Sequence, residues 1–166
     1  MIALKNVLVA TDFGEPAEAA VMYGRALARA FGATLHVLHV VQDVYLASYG
    51  SEFYIPEDPD VQHEVNEAAR KQLDTVVGEA TEDGMRIRSA LRMSNAAAPT
   101  IVQFAKDQNI DLIVMGTRGR KGVAHLLLGS VAEHVVRTAP CPVLTVHHPE
   151  HEFLVSEVPA VVRASA

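Results

Sequence analysis

The sequence predicts an α/β domain built around an open parallel sheet with helices on both faces. Three observations predict it. Five short apolar runs, at residues 7–10, 34–41, 86–93, 111–115 and 142–146, carry the Val, Ile and Leu content of strands buried on both faces. Helical patterns alternate with these runs. Gly or Pro punctuates the ends of those patterns. Alternation of this kind implies parallel strands joined by right-handed crossovers, which place helices on either side of the sheet.

The elements follow in order. Val7, Leu8, Val9 and Ala10 form the first strand. Pro16 then sits where a first-turn proline belongs, and Gly32 closes that helix. The second run, 34–41, is rich in Val and Leu. The connection 42–59 is long and contains Tyr45, Tyr49, Phe53 and Tyr54; such loops serve as lids or binding loops, or are simply mobile. Asp58 and Pro59 open a second helix. Its residues Val61, Val65, Ala69, Leu73, Val76 and Ala80 recur at helical spacing, and Gly84 ends it. The run 86–93 is weaker and alternating, which suits a position near the sheet edge. Asn95 precedes a third helix over 97–107 and suits a left-handed conformation. Pro99 is tolerable only in the first turn of that helix. A fourth helix runs from Ser130 to about Thr138 and stops before Pro140. The stretch from His147 onward carries no helix or strand pattern. The expected organisation is one domain over 1–147 and a tail over 148–166.

Bulk properties bound the function. A chain of 166 residues, half of them hydrophobic, can bury a sizeable core. A net charge of -6 argues against a general nucleic-acid binder. Cys141 is alone, so no intramolecular disulfide can form, which suits a reducing compartment. The N-terminus leads straight into a strand without signal-peptide architecture. No apolar run is long enough to span a bilayer, so membrane insertion is not expected. The expected location is the cytoplasm.

Open parallel sheets bind ligands beyond the carboxyl ends of their strands. The first strand ends in Ala10, Thr11 and Asp12. The fourth ends in Met115 and Gly116 and continues through Thr117, Arg118, Gly119, Arg120, Lys121 and Gly122. If the two strands are neighbours, both ends face one crevice. The second segment leads to Gly129, Ser130 and Val131, where the fourth helix begins. Glycines let backbone N–H groups approach a phosphate, and a helix N-terminus adds unpaired donors and partial positive charge. Ser130 can cap the helix or donate to a phosphate oxygen. Arg118, Arg120 and Lys121 concentrate positive charge in an acidic chain. The Walker loop G-x-x-x-x-G-K-[ST] is absent, and no G-x-G-x-x-G follows the first strand. The same glycines also suit a tight βα turn with a solvated basic face, and residue chemistry alone leaves both readings open.

Particular segments resemble the universal stress protein family over residues 5–146. They are Val-Leu-Val-Ala-Thr-Asp-Phe near the start, Leu38-His39-Val40-Val41, the segment from Asp111 through Gly116, Thr117, Arg118, Gly119 and Arg120, then Leu-Leu-Leu-Gly-Ser-Val-Ala-Glu and Ala-Pro-Cys-Pro-Val-Leu. In the ATP-binding branch of that family the loop reads Gly, two residues, Gly, nine residues, Gly, then Ser or Thr. Gly116, Gly119, Gly129 and Ser130 fit that spacing without a gap. The resemblance implies a Rossmann-like five-stranded parallel sheet in the order 3-2-1-4-5. It implies ATP, or ADP or AMP, as ligand, with Mg or Mn held through Asp12. Asp12 would bond the ribose or help hold the ion, with Ala10 and Thr11 at the same strand end. Val40 would meet the adenine edge through its backbone, and Met115 would pack near it. Gly116, Arg118, Gly119, Gly129, Ser130 and Val131 would line the ribose and phosphates. The resemblance also implies a homodimer through the last strand, 142–146. Three departures stand out: Ala10 where some relatives have proline, Gly14 where a capping serine is common, and Asn95 where glycine is frequent.

Other residues read more plainly. His36 and His39 alternate within a strand and are expected to pack or lie at an edge. His125 lies inside the loop and suits either phosphate contact or solvent. His147, His148 and His151 belong to the tail region; an exposed tail is favoured over a transition-metal site. Cys141, between Pro140 and Pro142, is expected to pack, since no base or resolving cysteine neighbours it. The functional expectation is a nucleotide-binding stress or regulatory protein with an unknown protein partner and no nucleic-acid partner. The alternative is a slow ATPase or autophosphorylating enzyme of the same fold. No arranged general base is visible in the sequence, which favours the first.

Overall fold

Each apolar run becomes a strand, and each helical pattern a helix. A computed structural model describes residues 1–48, 59–81, 84–117 and 128–147. The elements are β1 (Asn6–Thr11), α1 (Glu15–Phe31), β2 (Thr34–Val41), α2 (Val44–Ser48), α3 (Pro59–Thr81), β3 (Ile87–Met93), α4 (Ala97–Asp107), β4 (Leu112–Gly116), α5 (Ser130–Thr138) and β5 (Val143–Val146). The strands form a five-stranded sheet in the order β3-β2-β1-β4-β5. Every neighbouring pair is parallel. The weak, alternating run becomes β3 and lies at an edge, as expected.

The sheet separates two apolar layers, and the period-two pleat sorts residues between them. Val7 and Val9 of β1, Leu35 and Val37 of β2 and Val114 of β4 pack with Ala20 and Tyr23 of α1 and Leu73 of α3. Leu8 and Ala10, Leu38, and Ile113 and Met115 face the other way, onto Ile101 and Phe104 of α4 and Val135 of α5. Both faces of the central strands are therefore dry. That is why their sequences read as continuous apolar runs rather than alternating ones.

Local punctuation acts largely as expected. Pro16 lies in the first turn of α1, and Gly32 ends that helix in the left-handed conformation, with φ of 63°. The long connection after β2 departs from expectation by beginning with a short helix, α2. Asp43 starts it, its Oδ1 accepting the N–H groups of Tyr45 and Leu46 at 3.0 Å each.

Asn95 is the clearest correction. It does not take up a left-handed backbone; among the described residues the non-glycine positions with positive φ are Phe13 and Asn109. Its amide instead clasps Asp43: Oδ1 accepts the Asp43 N–H at 2.9 Å, and Nδ2 donates to the Asp43 carbonyl at 3.3 Å. Gln62 of α3 adds a third tie, accepting the Val44 N–H at 2.9 Å. Asn95 is thus selected for its side chain, which pins the segment after β2 to the end of β3.

The connection beyond α2, the loop 118–127 and the tail 148–166 lie outside the described residues. Among the described residues no helix is long and apolar enough to cross a membrane.

Candidate functional site at the carboxyl ends of the strands

β1 and β4 are neighbours, with Ala10 opposite Met115 in register. The strand ends that the sequence singles out therefore face one crevice.

The wall after β1 is a turn stapled by its own side chains. The Thr11 Oγ1 accepts the Phe13 N–H at 3.0 Å, and the Asp12 Oδ1 accepts the Gly14 N–H at 3.1 Å. His39 Nδ1 donates to the Thr11 carbonyl at 2.8 Å, and its ring lies against Phe13 with centroids 4.3 Å apart. These bonds hold Phe13 at a φ of 62°, a conformation a bulky side chain rarely adopts. The Asp12 carboxylate is thereby fixed at the N-terminus of α1, where the helix dipole favours a negative charge.

The wall after β4 is shaped by close approach. An ideal Cβ on Gly116 would come within 2.9 Å of the Pro16 carbonyl carbon, carbonyl oxygen and Cβ. The absence of a side chain at Gly116 thus lets the end of β4 butt against the first turn of α1.

Thr117, next in sequence, is buried and acts as a hub. Its N–H donates to the Val146 carbonyl at 2.8 Å, and its own carbonyl accepts the Gly129 N–H at 2.7 Å. Its Oγ1 lies 3.1 Å from His147 Nδ1. Thr117 and Gly129, on either side of the undescribed stretch, are thereby bonded to each other.

That bond ties the start of α5 to the end of β4. Gly129, not Ser130, is the N-cap, with φ of -72° and ψ of 156°, and no side chain caps this helix. The N–H groups of Ser130, Val131 and Ala132 have no acceptor within the helix, as at any helix start. Gly129 does not need glycine for its own backbone, because that φ is open to every residue.

Val40 lies one strand over. The Thr34 N–H donates to Lys5 across β1 and the Leu35 N–H to Arg86 across β3, so even-numbered residues of β2 turn their backbone groups toward β1. β1 ends opposite His39. The Val40 carbonyl accordingly faces the β1 side past its last paired residue.

The structure thus places Thr11 and Asp12 at the end of β1, Gly116 at the end of the neighbouring β4, and Gly129, Ser130 and Val131 at the start of α5, which is bonded to that end of β4. Ala10 and Met115 are buried in the second core layer. Arg118 and Gly119 lie outside the described residues, as do Arg120, Lys121 and His125. Sequence reasoning named Thr117, Pro16 and His39 but not the hub role of Thr117, the contact of Pro16 with Gly116 or the bracing bond of His39. A buried threonine after a strand-ending glycine must find backbone partners, and that is the signal Thr117 offered.

The remaining titratable candidates stay out of the crevice. His36 is buried in β2 with Nε2 3.3 Å from Asn6 Oδ1. Burial, and then the charge of Arg88, lower its pKa from the ordinary 6.5. Cys141 is half-buried against the second apolar layer, and burial raises its thiol pKa. Among the described residues no group of His, Cys, Asp and Glu is arranged to hold a metal ion.

Residues 3–147 match the universal stress protein family model. The chain belongs to the universal stress protein family. It is 36% identical over 151 residues to the universal stress protein MJ0531 of Methanocaldococcus jannaschii, covering 89% of this chain and 85% of that one. Its fold matches the solved structure of MJ0577 from the same organism with a TM-score of 0.77 and 25% identity, over 90% of this chain and all of that one. It also matches a universal stress protein solved in complex with cAMP, with a TM-score of 0.66 and 25% identity over 88% of this chain and 99% of that one. The Rossmann-like sheet order of this universal stress protein is the one its neighbours share.

Proposed function

We propose that this universal stress protein binds an adenine nucleotide, ATP first among them, in the crevice between β1, β4 and α5, and that occupancy sets a conformation read by a protein partner in the cytoplasm. One observation carries the reading. The start of α5, without a side-chain cap among the described residues, is tied to the end of β4 through Thr117 and Gly129, and β4 pairs with β1, whose end carries Asp12. An N-terminus of this kind receives anions. The spacing of Gly116, Gly119, Gly129 and Ser130 and the cAMP complex of a relative support the same ligand class.

The chain's residues fit such a ligand. Gly129 has a relaxed backbone, so its missing Cβ is free to serve close approach of a phosphate. The Ser130 hydroxyl is not used as a cap and can donate to a phosphate oxygen. The N–H groups of Ser130 and Val131 supply further donors. Arg118 and Gly119 would complete the phosphate side. Asp12 would meet the ribose hydroxyls or help hold Mg or Mn with the nucleotide, Thr11 would line the same end, and the Val40 backbone would meet the adenine edge over Ala10 and Met115. A divalent ion, when bound, would neutralise phosphate charge.

A homodimer through β5 belongs to the same proposal. β5 is an edge strand with Val143, Leu144 and Thr145 half-buried. Val131 and Val136 of α5 are exposed nearby. An unpaired apolar edge is a liability that a two-fold partner removes. The variant Val143→Asp/Thr145→Asp is expected to shift a dimer to monomer in light scattering at micromolar concentration; a monomeric wild type overturns the assembly.

The nucleotide reading is tested by denaturing purified protein, identifying released nucleotide by mass spectrometry, and titrating ATP calorimetrically. Released adenine nucleotide or a measurable ATP affinity supports it. Neither released nucleotide nor any heat with ATP at millimolar concentration overturns it.

A further inference from the structure

Two strands away from the crevice, the β3 edge carries a separate cavity of about 350 Å³. His36, Arg70, Arg88, Arg92, Phe104 and Gln108 contribute to its lining. They come from β2, α3, β3 and α4, so the cavity is assembled by the fold and not by one segment. Its size falls at the low end of small-molecule clefts.

The charge there is unusual for this molecule. The chain has a net charge of -6, yet three exposed arginines, Arg70, Arg88 and Arg92, line one cavity. Arg88 and Arg92 form no ion pair among the described residues. Arg70 pairs with Glu67 at 3.6 Å, with both side chains well exposed, a contact worth little. Arg92 donates Nη1 to the Leu91 carbonyl at 3.0 Å, one of five donors its guanidinium carries. Its Cζ lies 5.5 Å from the Phe104 ring centroid, and the His36 ring meets that same ring edge-on with centroids 6.1 Å apart. Phe104 therefore holds Arg92 in place from below.

Edge protection explains part of this arrangement. β3 is an edge strand, and Arg92 covers its free Leu91 carbonyl, which blunts pairing with another chain. That account does not extend to Arg70, which belongs to a helix, or to Arg88, which makes no such bond. Three arginines around one cavity favour an anionic occupant. The guanidinium fork matches phosphate oxygens, and such bonds are stronger than neutral ones.

We infer that the β3-edge cavity is a second ligand site, for a small molecule bearing a phosphate or pyrophosphate group. Arg88 and Arg92 supply the main phosphate donors, Arg70 closes the outer side, and Gln108 offers an amide to a polar substituent. The site is independent of the nucleotide crevice and stands whether or not that crevice binds ATP.

The test uses the full chain and inorganic pyrophosphate as probe, followed by calorimetry and by NMR of the histidine rings. Pyrophosphate is expected to shift the His36 ring resonances. Arg88→Gln should weaken this response by about tenfold, in line with the loss of a charged hydrogen bond. Arg88→Lys, which keeps the charge and loses the fork, should fall between. Gly129→Ala should leave the His36 response intact, which separates this site from the crevice. A thermal melt checks that each variant is folded. The inference is overturned if millimolar pyrophosphate leaves His36 unmoved, or if Arg88→Gln and Arg92→Gln both retain wild-type affinity. It is equally overturned if a short single-stranded RNA shifts His36 where pyrophosphate does not.

Discussion

The turn after β1 and the start of α5 follow the ends of two neighbouring strands, and they treat their backbone groups in opposite ways. In the first, Thr11, Asp12 and His39 bond the local backbone, so the turn is closed on itself. In the second, no side chain among the described residues caps the helix, and its first-turn N–H groups have no acceptor within it. One wall is built to hold a shape and the other leaves donors available. A glycine stands at the end of β4 and another at the start of α5, and the same contrast separates them. Gly116 is packed against Pro16, whereas Gly129 has a backbone that any residue could adopt.

The largest effect is expected where the donors are available. Gly129→Ala should remain folded, losing about 1 kcal/mol, the size of glycine's advantage over alanine at an N-cap. It should nevertheless lose most of its ATP affinity. Calorimetric titration beside thermal melts with and without ATP checks this, because ligand raises the melting temperature only where it binds the folded state. Unchanged ATP affinity in the folded variant would remove the phosphate role from this wall.

Gly116→Ala should do the reverse. The new Cβ meets backbone and ring atoms of Pro16 that cannot swing away, and overpacking of this kind costs about 1–3 kcal/mol. For a chain of this size each kcal/mol lowers the melting temperature by roughly 2–4 °C. The loss should appear without any nucleotide present. A variant with a wild-type melt would show that the contact between β4 and α1 relaxes freely.

Thr11→Val sharpens the account of the stapled wall. It removes the acceptor for the Phe13 N–H while keeping the side chain's size, so a destabilisation of about 1 kcal/mol is expected by chemical denaturation. The smallest effect belongs to Ser130→Ala. Its hydroxyl caps nothing, so stability should be unchanged, while ATP affinity falls on the order of fivefold through one lost hydrogen bond. A lower stability with the same ATP affinity would reverse its assignment.

Much of this architecture is legible in the chain. Apolar runs buried on both faces, alternating with helical periods, dictate a parallel α/β sheet, because no other arrangement covers both faces. Gly32 and Pro16 marked the ends of α1 because their backbone limits are intrinsic. The positions of Asp12 after β1 and of Gly129 at the start of α5 also follow. Asn95 shows where such reasoning stops. Its propensity for a left-handed backbone is a local tendency, and the two hydrogen bonds to Asp43, distant in sequence, outweighed it.

The sequence by itself determined the elements, their parallel direction and the glycine-punctuated loop, since all three rest on interactions between residues close along the chain. Tertiary structure alone showed that Gly116 is packed against Pro16, while Gly129 stands at the start of α5 with a backbone open to any residue. The spacing of Gly116 and Gly129 is the same evidence for both, and only the Pro16 contact, brought from α1, tells them apart. It likewise decided that Thr117 ties β4, β5 and α5 together, and that Arg70, Arg88 and Arg92 share one cavity. These facts depend on groups far apart in the chain meeting in space, which no local pattern of residues encodes.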